Sequence, residues 1–385
     1  MPFAIVPDGA HARSPKARPA LMPWGDEVKR ILCVRLDNLG DVLMTAPALH
    51  ALRASAPQRH ITLLTSPAGA AIAKFLPDVD DVIVYDAPWI DERRSAGERD
   101  EAQLLERLRA GRFDAAAIFT VYSQNPLPAA MLCFLAGIER RLAHCRENPY
   151  ALLTHWVPER EPHIELRHEV ERQLALARSV GAHVEDTRMH LQVEATARDS
   201  LKEKLLRHGI EDGQRLLVLH PGATAASRRY PPALYAEAVE RLAPHATIVL
   251  TGSASEAPLT GDIARRVRHA ETLPVDLAGA LTLGEMIALL DRAVLLVANN
   301  SGPVHIAAAL QTPVVDLYAL TNPQHTPWMT AHRLLYRDVP CRWCYRGECP
   351  EGHHACLRGV TPEAVAQAAC ELLEDAAAPR AAAPV

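Results

Sequence analysis

Residues 294–310 read VLLVANNSGPVHIAAAL. The apolar run 294–298 is short and unbroken, the pattern of a parallel strand buried on both faces. Asn299, Asn300, Ser301 and Gly302 then supply turn and helix-capping residues. Pro303 falls in a first helical turn, where its missing N–H costs nothing, and the small residues 307–309 let the helix lie close on a sheet. Strand, glycine turn and helix together make the repeating unit of a doubly wound α/β sheet, whose helix N-termini favour anions. His305 lies one turn from such an end. It reads either as a phosphate or ribose contact or as a packing histidine.

The same unit recurs outward in both directions. Short runs rich in Val, Ile and Leu stand at 31–36, 61–65, 82–85, 115–121, 216–220, 247–251 and 313–318, and stretches of helical period lie at 42–54, 101–110 and 232–242. This alternation predicts parallel sheets. The rhythm breaks between about 140 and 215, where 146–163 looks irregular and helices are predicted at 165–181 and 195–208. The expected organisation is an arm at 1–24, a Rossmann-like domain at 25–190, a second at 191–375 and a tail at 376–385, the two domains facing a cleft at the carboxyl edges of their strands.

The 385 residues suit two domains at about 150 residues each. With 49% hydrophobic and 23% charged residues the chain is a globular one. A net charge of -5 gives no whole-chain basic field for nucleic acid, so no nucleic-acid partner is expected. No apolar run approaches the ~18 residues of a membrane span, and the Pro/Ala-rich start lacks a signal core, so the expected location is the cytoplasm.

Two more loops carry chemistry. After the first strand comes RLDNLGD at 35–41, with Gly40 read as a tight turn and Asp41 at a helix start, where it is either an N-cap or a base facing the cleft. After the strand at 216–220 comes HPGATAASRRYP at 220–231. A glycine turn and paired guanidinium groups before a helix suit a diphosphate, although adjacent arginines on a loop are also an ordinary solvated surface.

Gly40-Asp41 before a helix containing Pro47, the His220-Pro221-Gly222 loop with Arg228 to Pro231, Gly252-Ser253 with Glu256, the stretch 277–283, and Asn300-Ser301-Gly302-Pro303 with His305 occur in one order. In that order they resemble glycosyltransferase family 9, the heptosyltransferases, over roughly residues 30–370. The resemblance implies a GT-B fold and inverting transfer of a heptose from ADP-L-glycero-β-D-manno-heptose to a lipopolysaccharide core at the inner face of the inner membrane, with no cofactor required for catalysis. It implies Asp41 as the catalytic base. Thr224, Arg228, Glu256, Leu281, Asn300, Ser301, Gly302 and His305 become donor contacts, with Glu256 on the ribose or sugar and the Leu281 backbone on adenine. Arg35 becomes a candidate acceptor contact. Asn300 stands where the family usually has Asp, Arg228 where it has Lys and Tyr230 where it has Trp. Closure about a hinge near 190 is expected to bring Asp41 to the donor.

Cys341, Cys344, Cys349 and Cys356 open with metal-ligand spacing but do not continue as a standard finger. They read as a structural zinc or iron site, with His353 and His354 as alternate ligands, or as reduced thiols or a disulfide in this 341–356 segment. Rival activities are transfer to a protein or another glycan, sugar-nucleotide 2-epimerisation, which uses two similar facing domains, and a nucleotide-binding regulatory module without catalysis.

Overall fold

The computed structural model describes residues 21–90, 101–269 and 273–377. β1 (Arg30–Arg35), β2 (His60–Thr65), β3 (Asp81–Val84), β4 (Ala115–Ile118), β5 (Arg140–Cys145) and β6 (His155–Pro158) form one sheet in the order β3-β2-β1-β4-β5-β6. β7 (Leu216–His220), β8 (Thr247–Leu250), β9 (Val275–Asp276), β10 (Leu295–Asn299), β11 (Val314–Leu317) and β12 (His332–Leu335) form the other, in the order β12-β11-β10-β7-β8-β9. Every pairing is parallel. Both sheets therefore follow one winding, and the strand order reverses between β1 and β4 in the first and between β7 and β10 in the second. Loops leaving these switch points are where open α/β folds hold ligands.

Burial explains why the central strands were visible in the sequence. Ile31, Leu32, Cys33 and Val34 of β1 and Leu295 to Ala298 of β10 are all buried, so no polar alternation interrupts them. β5 lacked that signal because it carries Arg140, Arg141 and His144. Arg141 is nonetheless buried, its guanidinium satisfied by the carbonyls of Leu152 and Ala151, each at 2.7 Å. The segment read as irregular contains β6, an edge strand whose residues are at most half-buried. Trp24, read as part of a loose arm, belongs to the core: it is 5% exposed and its N–H donates to Val180 O at 2.9 Å. No helix among the described residues is long and apolar enough to cross a membrane.

Helix Leu39–Ala54 is buried along most of its length, since it packs on helices Pro67–Ala73 and Glu169–Arg178 in its own half and on helix Gly302–Ala309 of the other. It starts earlier than the sequence suggested, with Asn38 as N-cap and Asp41 in the first turn. Gly40 lies inside the helix and outside the left-handed region, so it opens no turn. Its role is close approach: a Cβ there would lie 2.7 Å from His305 Cδ2. The two halves thus touch along a seam. His168 adds to it, its Nδ1 accepting the Val170 N–H at 3.1 Å while Nε2–H donates to Thr326 O at 2.9 Å. Trp328 Nε1 donates to Thr187 O at 2.7 Å.

Gly40→Ala is expected to lower stability by about 1–3 kcal/mol, the range for overpacking a tight contact. Urea unfolding measures it, and an unchanged midpoint would mean that the helices separate freely at this point.

Candidate active site

The loops from both switch points line one cleft of about 790 Å³, within the range of small-molecule sites. Asp37, Asn38 and Asp41 follow β1, and Val121 to Ser123 follow β4. Thr224, Ala225, Ala226 and Arg228 follow β7, and Asn300, Ser301, Gly302 and His305 follow β10. The fold therefore brings together Asp41 and most of the sequence-read donor residues. Glu256 and Leu281 are not among the described residues lining this cavity. Glu256 Oε2 accepts the N–H and hydroxyl of Ser253, each at 2.8 Å, and its other oxygen lies against Gly222. Leu281 packs on the apolar core.

Arg35 ends β1 with a fully buried side chain. Its guanidinium meets Asp37 Oδ2 at 2.8 Å, Glu169 Oε1 at 2.9 Å and Asp41 Oδ1 at 3.4 Å. The Asp37 contact is close but is not aligned as a hydrogen bond, so it acts through charge. Burial by itself would lower the arginine's pKa, yet the carboxylates of Asp37, Glu169 and Asp41 drive it above the ordinary value. Burial pushes the Asp37 carboxyl up to about 6 against the pull of Arg35. Glu169 moves the other way: burial would raise it, but Arg35, His325 and Arg172 together bring it below the usual range. Arg35 is absent from the cleft lining, so the expectation that it meets acceptor groups gives way to a buried cation whose three partners fill its fork.

Asp41 is held from two sides. Its Oδ2 accepts the Asn38 N–H at 3.2 Å while Oδ1 faces Arg35, and 19% of its side chain remains open to the cleft. It is thus both part of its helix's cap and a cleft-facing carboxylate.

The opposite wall carries a cation, Arg228, beside a neutral imidazole, His305. Arg228 lines the cleft and its Nε is buried with no hydrogen-bond partner among the described residues, as is Nδ1 of His305. Burial lowers the pKa of both, His305 to about 3. Asn299, wholly buried, sets this wall: its amide donates to Pro221 O at 2.7 Å and accepts from Tyr230 N–H and Tyr235 O–H, each at 3.0 Å. The β7 loop is thereby tied to the end of β10. Asn300 Nδ2 reaches Thr321 Oγ1 at 3.4 Å.

Sequence reasoning missed Asp37, Glu169, Gln324 and His325. Asp37 sat inside the quoted 35–41 stretch. The 322–325 turn follows the strand at 313–318, whose edge position could have drawn attention to it. Glu169 had no local signal, because 134 residues separate it from Arg35.

Cys341, Cys344, Cys349 and Cys356 line one small cavity of about 20 Å³ with His353 and His354. They are free thiols, and among the described residues no group of three or more His, Cys, Asp or Glu side chains is arranged to hold a metal ion. The segment instead supports the cleft. Tyr345, Gly347 and Glu348 line it, Ser227 N–H donates to Gly347 O at 3.0 Å, Ser227 Oγ donates to Arg346 O at 2.7 Å, and His354 Nε2 donates to Ser227 O at 2.6 Å. Ser227 immediately precedes Arg228.

Arg35→Met is expected to cost about 3–5 kcal/mol in denaturant unfolding, because it strands buried carboxylates, and the triple variant with Asp37→Asn and Glu169→Gln should recover part of that loss. A single variant as stable as the parent would show the cluster to be energetically neutral.

Residues 102–355 match Glycosyltransferase family 9 (heptosyltransferase). The lipopolysaccharide heptosyltransferase 2 of Escherichia coli is 27% identical over 361 residues, spanning 87% of this chain and 96% of that protein. Among solved structures, the family 9 glycosyltransferase of Veillonella parvula has a TM-score of 0.77 at 23% identity, covering 92% of this chain and 99% of that one. The Escherichia coli ADP-heptose lipopolysaccharide heptosyltransferase II has 0.72 at 24%, covering 91% and 100%. Those folds share the two facing sheets described above, and with the family match running through both of them, this chain belongs to glycosyltransferase family 9.

Proposed function

We propose that this chain transfers a heptose from an ADP-heptose donor to a lipopolysaccharide core acceptor, with inversion at the anomeric carbon. The observation that carries the reading is that a carboxylate from the first sheet, Asp41, and from the second an arginine, Arg228, and an imidazole, His305, each with a ring or guanidinium nitrogen unpartnered among the described residues, line one cleft. The two Escherichia coli proteins named above, a lipopolysaccharide heptosyltransferase 2 and an ADP-heptose lipopolysaccharide heptosyltransferase II, support the donor and acceptor classes.

In this mechanism an acceptor hydroxyl attacks the anomeric carbon, its oxygen forming the new bond as the bond to ADP breaks. ADP leaves with the bonding pair, and Asp41 accepts the hydroxyl proton. Arg228 and the helix N-terminus at Ser301 to His305 face the charge that grows on the departing diphosphate. Asp37 is the competing carboxylate, since it also lines the cleft. Its side chain is only 7% exposed, against 19% for Asp41, and both its oxygens are committed, to Gln124 and Arg35. Arg35 acts through Asp41, fixing its orientation. Residues 25–190 serve the acceptor and 191–375 the donor, with Thr224 and Asn300 as further donor contacts. Transfer to a lipopolysaccharide precursor calls for the protein to act in the cytoplasm, at the inner face of the inner membrane.

Asp41→Asn should keep fold and ADP affinity while turnover falls by roughly 10²-fold or more. Near-parental turnover at saturating acceptor would reduce Asp41 to a helix cap. Arg228→Ala and His305→Ala should each weaken ADP binding by about 1–3 kcal/mol. Calorimetry with ADP reads this directly, and unchanged affinity in both would put the phosphates elsewhere.

A further inference from the structure

The turn Pro323–His325 carries polar groups that the fold leaves unused. Gln324 is 2% exposed and lines the cleft, and its Nε2 has no hydrogen-bond partner among the described residues. His325 lines the same cleft with its Nδ1 equally unpartnered. Buried polar groups are ordinarily paired, because desolvation without a partner is costly. Here four residues that line one cleft, from three separate segments, each carry such a nitrogen: Arg228 Nε, His305 Nδ1, Gln324 Nε2 and His325 Nδ1.

The turn is also held rigid from both sides. Asn322 caps it, its Oδ1 accepting the Gln324 N–H at 3.3 Å, and Tyr318 O–H donates to Asn322 O. On the far side His168, at the start of helix Glu169–Arg178, holds Thr326 O at 2.9 Å. Unpaired donors on a fixed frame are what a preorganised anion site requires.

We propose that the Asn322–His325 turn forms the second half of the grip on a nucleoside diphosphate sugar, with Gln324 and His325 closing on its anionic and sugar oxygens opposite Arg228 and His305, and that His325 takes up a proton from solvent as the diphosphate binds. This rests on the reading of the cleft as a donor site. His325 is surrounded by Glu169 and Asp41 on the acidic side and by Arg228, Arg35, His305 and His168 on the basic side. In the free protein burial, reinforced by Arg228 and Arg35, outweighs Glu169 and Asp41 and holds its pKa below the ordinary imidazole value. Two phosphate charges in contact reverse that balance. Protonation occurs at a pH between the free and bound values, so affinity rises as pH falls through that interval.

The test uses the full chain and ADP-ribose, whose diphosphate has no group titrating near neutrality. Calorimetry is run near pH 7 in buffers of unlike ionisation enthalpy, so that the slope of heat against buffer enthalpy counts protons exchanged. Net proton uptake is expected for the parent protein. His325→Gln, which keeps a hydrogen-bonding side chain but cannot titrate, should abolish the uptake while binding persists. Gln324→Met, of similar volume, should retain the uptake and weaken binding on the order of tenfold. Thermal melting of both variants checks that the fold is intact. Binding without proton uptake, uptake unchanged in His325→Gln, or parental affinity in Gln324→Met would overturn the proposal. Failure of the donor-site reading is seen separately, as ADP and ADP-ribose affinities that do not respond to Arg228→Ala.

Discussion

One buried cation organises the first half of the cleft. Arg35 has no exposed side-chain surface and is met by three carboxylates from three places: the loop after β1, the first turn of helix Leu39–Ala54, and the start of helix Glu169–Arg178. The network runs further. Gln173 donates to Glu169 Oε1 at 2.6 Å and to Thr120 O at 3.1 Å, and Arg172 donates to the same carbonyl at 3.0 Å while pairing with Glu159 and Glu161. The ends of β1 and β4 and the helix spanning them are thereby locked as one unit. Burying such charges is worthwhile only when each is matched, which makes this floor unforgiving of single changes and specific in geometry.

The second half uses the same winding but a different solution. Its loops are tied by neutral groups, chiefly Asn299, and its cleft cation, Arg228, keeps Nε without a hydrogen-bond partner among the described residues. Across the cleft the arginine is enclosed by acids; on this side the arginine and imidazoles stand free. The field inside therefore favours an anion seated against the second sheet, with a carboxylate left facing it from the first. Two sheets of one topology acquire unlike chemistry through what each loop leaves unpaired.

How much of this was legible in the sequence follows from how locally each feature is encoded. Central strands and the loops at 35–41, 220–231 and 299–305 were readable because burial on both faces and turn chemistry are written in adjacent residues. Of the edge strands, β3 was read at 82–85, but the others were not: β9 has two residues, and β6 and β12 are only partly buried. The partnership of Arg35 with Glu169 and the contact of Gly40 with His305 depend on residues far apart in the chain, and no local pattern announces them. Arg35 was read as an acceptor contact because a guanidinium at a strand's end suits acidic sugars or phosphates. Gly40 looked like a turn because glycine usually makes one. Both readings failed where a tertiary partner gave the residue another task.

That second failure bears on how the two halves work together. The ring of His305 lies against Gly40 at the seam, while its Nδ1 is unpaired in the cleft. Gly40 is the neighbour of Asp41, in the first turn of the same helix. The His305 ring thus lies directly against the helix turn that carries the carboxylate. The seam is close elsewhere too: a Cβ added at Gly302 would lie 3.5 Å from Leu39 Cδ2 and one at Gly284 3.5 Å from Phe75 Cζ. One imidazole therefore belongs both to the cleft wall that carries Arg228 and to the seam against the helix turn that carries Asp41, so the two halves meet at the cleft through that side chain.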